Sequence, residues 1–222
     1  MNFGYVTVNG VNSNTFSVPT ADTLFLLILS ILTLESAHSI RFLYQHFLSG
    51  ITEKSLNAFY YACSYAKIDY SRFMNITARI ALKPIPDFLQ TQPVFLCVDD
   101  TMVSKFGTKF ENVSKLFDHA AHNGSNYLNG HCFVSVMLCV PVWNGDKVSY
   151  LSVPLGYRMW QKKESKLELA ASMIRQVMPE FQSKDHVIIL CDSWFVSKSI
   201  IYKVVNWCFV IKPELFTEQY LN

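Results

Sequence analysis

Residues 94–101 read VFLCVDDT, an apolar run that ends in two adjacent carboxylates, and residues 187–193 repeat the pattern as VIILCDS. About five apolar residues between polar neighbours predict a strand that is buried on both faces. An aspartate that directly follows such a strand lies at the carboxyl end of an open α/β sheet, where the binding and catalytic residues of these sheets lie. The two runs therefore predict a pair of carboxylates, one from Asp99 or Asp100 and one from Asp192.

Side chains of a regular strand alternate between its faces, so Asp99 and Asp100 cannot both enter one site. One of them is a site candidate, and we expect the other to cap or turn the chain into Thr101. Either can meet Asp192 only if the two strands are parallel neighbours, which a helix between residues 155 and 187 allows as a crossover. Paired carboxylates hold Mg²⁺ or share a proton, whereas a single aspartate after a strand is also a common turn residue or helix N-cap.

The composition is that of a folded chain without a strong net charge. Half of the 222 residues are hydrophobic and 14% are aromatic, which excludes a disordered protein. The net charge of +2 gives no global basic field, although a local nucleic-acid patch remains open. The six cysteines lie mostly within apolar runs and lack CxxC spacing, so we interpret them as buried thiols of a reducing compartment.

No membrane partner is expected. The most apolar run, residues 24–32, is shorter than the roughly 20 residues that a bilayer span requires. The first residues lack the basic region of a signal peptide. Both observations favour a cytoplasmic protein.

Helical signals dominate the first 85 residues. After an irregular arm of residues 1–18, we predict a helix from Thr20 or Asp22 to Gly50. Two further helices are predicted over residues 52–65 and 69–82, where Pro84 ends the pattern. We therefore predict two domains, a helical segment at 1–88 and an α/β core at 89–222.

Strand patterns follow. An Asn-Gly turn at residues 144–145 predicts a hairpin. A helix that ends at Pro179 separates these strands from the strand predicted over residues 187–191. Together they predict a three-stranded meander and then helix, strand, helix and strand, which is an α/β layer with helices on a mixed sheet. The predicted strands are 94–100, 131–142, 147–155, 187–191 and 207–211, the connection is 101–130, and the helices are 164–178 and 196–206.

Several motifs carry a resemblance to a known family. They are VDDT at 98–101 followed by SKFG at 104–107, the connection from FDH at 117–119 to NGH at 129–131, YR at 157–158 before a lysine-rich helix start, and LCDSWF at 190–195. In order and spacing, this set resembles the DDE transposases of bacterial insertion sequences, from Val94 to about Lys212. The resemblance implies a ribonuclease H-like catalytic core preceded by a helical DNA-binding segment.

The resemblance also implies the chemistry. An Asp-Asp-Glu triad would hold two Mg²⁺ ions, or Mn²⁺ in their place, and activate water and then a DNA 3′-hydroxyl for strand cleavage and transfer. The first metal ligand maps onto Asp100, with Asp99 in reserve, and the second onto Asp192. The implied partner is double-stranded DNA, at transposon ends and target, bound by a homodimer at the bacterial nucleoid.

The third member of the triad has no match. It should be a glutamate on a helix after the fifth strand, and Glu214 and Glu218 follow the run 207–211 too closely. We therefore assign no third ligand and expect a transposase truncated at its C-terminus. The alternatives are an inactive DNA-binding remnant of a transposase, or a phosphatase-like or nuclease enzyme that uses the same two carboxylates.

Two further clusters of side chains have both a functional and a structural interpretation. The densest basic cluster comprises Arg158, Lys162, Lys163 and Lys166, with Lys105 as a weaker candidate. These side chains would contact DNA phosphates. A solvated first turn of a helix explains the cluster equally well. A zinc set of His119, His122, His131 and Cys132 is disfavoured, because its spacing fits no structural zinc site and Cys132 should point away from His131.

Overall fold

The computed structural model describes residues 17–36, 39–107, 109–117, 126–182, 186–192, 195 and 209–211, the last range as backbone only. The chain divides into two compact units, Met1–Phe73 and Met74–Asn222. None of the helices in the described ranges has the length and apolar character needed to span a bilayer.

The first unit contains short helices around a small core. Their bounds are α1 Val18–Thr33, α2 Ile40–Leu43, a π-helical turn Tyr44–Leu48, α3 Ser49–Ile51 and α4 Leu56–Ser64. The buried apolar residues of this core are Leu27, Leu43, Leu48 and Phe59. The second predicted helix, over residues 52–65, corresponds to α4.

The single helix predicted from Thr20 or Asp22 to Gly50 is wrong. Its start is capped earlier, because the Ser17 side chain accepts a hydrogen bond from the Thr20 backbone N–H. The helix then stops at Thr33, where Leu34 takes an extended conformation. A new helix begins after Ser39, whose hydroxyl accepts a hydrogen bond from the Phe42 backbone N–H at 3.1 Å. A serine that can cap a helix thus divides the apolar pattern.

Helix α5, Tyr70–Leu82, crosses the boundary between the units. Asp69 caps it, because its carboxylate accepts a hydrogen bond from the Arg72 backbone N–H at 2.9 Å. Further along the helix, Met74, Ala78 and Ala81 belong to the core of the second unit. The unit boundary therefore lies within α5, before the predicted boundary between residues 88 and 89.

The second unit is built on a mixed six-stranded sheet. In space, β3 lies between β1 on one side and both β2 and β4 on the other, all antiparallel to it. Strand β5 is parallel to β1, and β6 is parallel to β5. The strands are β1 Val94–Ser104, β2 Ser114–Phe117, β3 Tyr127–Trp143, β4 Val148–Met159, β5 Val187–Cys191 and β6 Phe209–Ile211.

The predicted mixed α/β sheet and its β3–β4 hairpin are confirmed. The hairpin turn contains Gly145 at a φ of +101°, a conformation that glycine adopts without steric cost. The connection predicted over residues 101–130 is only partly a connection, since it contains β2 and the first residues of β3. The predicted helix 196–206 lies outside the described residues.

One face of the sheet packs against α6, Lys166–Val177. Alternate residues of β1, Val94, Leu96 and Val98, are buried in a core that α6 completes with Ala170 and Ile174. The helix begins at a capping box. In that box, the Ser165 hydroxyl accepts a hydrogen bond from the Glu168 backbone N–H and the Glu168 carboxylate accepts one from the Ser165 N–H.

Strand β1 continues through both carboxylates, so the prediction that one of them turns the chain into Thr101 is wrong. The long partner strand explains this, because the β1–β3 pairing runs without interruption from Phe95 to Ser104. At the far end, Gly130 of β3 faces Ser104, and a β-carbon on Gly130 would lie 2.3 Å from the Val103 carbonyl oxygen. Only glycine allows this close approach.

Candidate metal centre

The parallel pair β1–β5 brings the predicted carboxylates to one place. Its last paired residues are Val98 and Cys191, and Asp99 and Asp192 each come one residue later. Neighbouring strands lie about 4.8 Å apart. The backbones at Asp99 and Asp192 therefore lie side by side, one residue beyond the last paired residues. The requirement that the two strands be parallel neighbours is therefore confirmed.

Strand β5 ends at this point. Asp192 is exposed, and its backbone carbonyl accepts a hydrogen bond from the Phe195 N–H at 2.9 Å directly after the strand. Phe195 itself is fully buried. This turn fixes the position of Asp192 at the carboxyl end of the strand.

Asp99 lies on the face of the sheet opposite α6. Its side chain is exposed, and its Oδ1 accepts a hydrogen bond from the Asp100 backbone N–H at 2.8 Å. Its backbone carbonyl accepts a hydrogen bond from the Ser135 hydroxyl on the neighbouring strand at 3.2 Å. The Asp99 carboxylate is thus accessible to solvent on a rigid strand.

Asp100 alternates to the α6 face and is bound by protein groups there. Its carboxylate forms an ion pair with Lys166 of the first turn of α6, and the two side chains are only 18% and 16% exposed. The Cys132 thiol also donates to Asp100 Oδ2 at 3.3 Å. The ammonium of Lys166 further lies 5.4 Å from the centre of the Trp160 ring.

The ionisation of this cluster follows from its surroundings. Burial acts to lower the pKa of Lys166, but the hydrogen bond and charge of Asp100 outweigh it and leave that pKa raised. Burial, together with the hydrogen bond to Asp100, raises the pKa of the Cys132 thiol. The cluster therefore holds a protonated lysine and a neutral thiol on one carboxylate.

These contacts distinguish the two adjacent aspartates chemically. Asp100 already has a cation of the protein beside it, whereas Asp99 is exposed at the same level as Asp192. Carboxylate oxygens are ligands that Mg²⁺ prefers, and two of them suffice because the ion keeps several waters. Among the described residues, no group of three or more His, Cys, Asp or Glu side chains could hold a metal ion.

The predicted DNA-contacting residues fall into two groups. Arg158 is half-buried and donates to the Ser172 hydroxyl at 3.0 Å and to the Gln176 side-chain oxygen, both on α6. Lys166 is engaged with Asp100. Of the remaining candidates, Lys162 and Lys163 are exposed, and Lys105 is half-buried.

The residues weighed as a zinc set do not converge where they are described. His131 Nε2 lies 2.7 Å from the Glu111 carbonyl oxygen, and the ring packs edge-on against Phe133. Cys132 contacts Asp100 on the opposite face, as alternation predicts. His119 and His122 lie outside the described residues.

Two pairs of side chains in the structure were not predicted from the sequence. Lys166 was predicted as a phosphate contact, although a lysine at the start of a helix that packs over the end of β1 can equally reach a strand carboxylate. Cys97 and Cys139 have their Sγ atoms 3.8 Å apart across β1 and β3. Their contact depends on the strand register, which no local motif encodes.

The chain was compared with protein-family models, with curated proteins and with solved structures, and none of them matched.

Proposed function

We propose that this chain carries the catalytic core of a DDE-type transposase, which cleaves and transfers DNA strands with Mg²⁺ or Mn²⁺. The observation that carries the proposal is the alignment of β1 with β5, because it brings Asp192 beside the two aspartates of β1. The sequence motifs that resemble the family contain these same carboxylates.

The sheet order supports a ribonuclease H-like fold. In space the order is β4, β3, β1, β5 and β6, with a three-stranded antiparallel meander followed by two strands parallel to β1. This order places the carboxyl ends of β1 and β5 next to each other, as the two metal ligands of the proposed core require. The proposed partner is double-stranded DNA, which a homodimer of this chain would bind at the nucleoid in the bacterial cytoplasm.

Within this proposal, Asp99 and Asp192 hold the metal, and Asp100 has a structural role. A metal at this site would activate water or a 3′-hydroxyl and stabilise the charge that develops on the phosphate. Asp99 supplies a carboxylate from a rigid strand, and Asp192 supplies one from the end of its neighbour. Lys166 neutralises Asp100 from the other face and so keeps that second carboxylate from competing for the cation.

Nicking of supercoiled plasmid tests the activity. We expect the purified chain to convert supercoiled DNA to the open circle when Mg²⁺ or Mn²⁺ is added. Replacing Asp99 by Asn, or Asp192 by Asn, should reduce the rate by about 100-fold or more, because each removes a metal ligand. Asp146→Asn is the matched control, since Asp146 is exposed in the β3–β4 turn.

The outcomes separate the candidate functions. Wild-type nicking rates in both Asp99→Asn and Asp192→Asn chains would disprove the catalytic assignment. Salt-sensitive DNA binding without nicking in either cation would favour the inactive DNA-binding remnant. Hydrolysis of a small phosphate ester with no action on DNA would favour the phosphatase-like alternative.

A further inference from the structure

A pair of cysteine side chains joins β1 to β3 on the face of the sheet opposite α6. Cys97 of β1 and Cys139 of β3 are diagonal neighbours, because Cys97 faces Met137 and Cys139 faces Phe95 in the register. Their Sγ atoms lie 3.8 Å apart, and both side chains are half-buried. The pair is therefore close enough for joint chemistry and still reachable from solvent.

The distance suits two sulphur ligands on one metal ion. A tetrahedral zinc ion forms bonds of about 2.3 Å to cysteine sulphur, and two such bonds at the tetrahedral angle place the sulphur atoms about 3.8 Å apart. Ser152 of β4 lies opposite Cys139, with its hydroxyl oxygen 3.4 Å from the Cys139 sulphur. That exposed hydroxyl and water are available for the remaining positions.

A disulfide fits this geometry less well. Diagonal neighbours on antiparallel strands have Cα atoms about 7–8 Å apart, whereas disulfides require about 4.4–6.8 Å. Closing the bond would therefore displace two central strands of the sheet. A single atom that bridges the two sulphurs requires no such movement.

Cysteine binds metal ions as the thiolate. A cation that bridges Cys97 and Cys139 would therefore replace the proton of the hydrogen bond between their sulphur atoms.

From these contacts we propose that Cys97 and Cys139 form a two-thiolate site for one soft divalent cation of the zinc type. The cation replaces the thiol protons, which pass to solvent, and no oxidation or reduction takes place. The site lies on the same face of β1 as Asp99, two residues earlier along the strand. It is distinct from the carboxylate pair in ligand type and does not rest on the proposed function.

Titration with Cd²⁺ tests the site directly, because cadmium–thiolate bonds absorb in the near ultraviolet. When the chain is kept reduced by a phosphine, its thiolate absorption should reach saturation with one equivalent of Cd²⁺ bound to sulphur, and Zn²⁺ should reverse it. Cys97→Ser and Cys139→Ser should each lose most of the absorption. Cys63→Ser is the matched control and should keep it, because Cys63 is an exposed cysteine of α4.

A measurement on the unaltered chain guards against misfolded variants. Saturating Zn²⁺ should protect Cys97 and Cys139 from alkylation, and peptide mass mapping would identify the protected positions. The proposal fails if the Cys97→Ser/Cys139→Ser double variant shows the same Cd²⁺-induced thiolate absorption as the wild type. It fails equally if the wild type shows no thiolate absorption, or if Zn²⁺ leaves these two cysteines as reactive as Cys63.

Discussion

Two carboxylates adjacent in the sequence have opposite surroundings in the structure. Asp100 points to the α6 side, where Lys166 and Cys132 bind it, while Asp99 points to the other face and is exposed. The alternation of a strand is the physical cause, and it could be predicted from the sequence. The partner of Asp100 could not, because it depends on where the first turn of α6 packs.

The Lys166–Asp100 pair should contribute measurably to stability. Lys166→Met leaves the largely buried Asp100 carboxylate with only a thiol donor, so we expect the free energy of unfolding to fall by about 1–3 kcal/mol. Lys163→Met is the control, because Lys163 is exposed, and it should change stability by no more than about 0.5 kcal/mol. Urea denaturation measures both; equal stability of the two variants would contradict the structural role of the pair.

The same pair predicts a pH dependence. The pKa of Lys166 is raised by folding, so its contribution is fully present below the ordinary lysine pKa of about 10.4 and is lost as the pH rises through the folded value. From neutral pH to about pH 10 the stability difference between wild type and Lys166→Met should therefore stay constant, and above about pH 10 it should shrink. A difference that disappears already near neutral pH would show that another group is responsible.

At the scale of elements, the residues at helix ends explain which predicted bounds agree with the structure and which do not. Helix α6 was predicted nearly to its bounds, because an apolar stripe and the proline at its end agree. The predicted helix 20–50 was wrong, because Leu34 takes an extended conformation and Ser39 caps a new helix. Strand β2 was not predicted, and β1 was predicted too short, because its apolar run ends at Val98 and pairing with β3 keeps the following residues extended.

The capping box of α6 should be needed for the helix and for the position of Lys166. Ser165→Ala removes the hydroxyl that accepts from Glu168 N–H, so we expect a loss of about 1 kcal/mol in the free energy of unfolding. Ser165→Asp retains an N-cap acceptor and should stay near the wild type. Urea denaturation compares the two; an alanine variant as stable as the aspartate variant would refute the cap's contribution.

At the scale of the molecule, the sheet brings the ends of β1 and β5, which are distant in the sequence, together at one candidate site. The sequence allowed this meeting through a crossover helix, and the parallel pairing of β1 with β5 realises it. The choice between Asp99 and Asp100 was left open by the residues alone, because it depends on which face of the sheet α6 covers. The central claim is that Asp99 and Asp192, rather than Asp100, hold a divalent cation.

Mn²⁺ binding tests this claim most directly, through the free Mn²⁺ signal in electron paramagnetic resonance as the chain is titrated. We predict that Asp99→Asn and Asp192→Asn weaken binding by about tenfold or more, while Asp100→Asn and the exposed control Asp146→Asn bind as the wild type does. Circular dichroism would verify that each variant is folded. Loss of binding in a folded Asp100→Asn chain, with wild-type affinity in Asp99→Asn, would contradict the account.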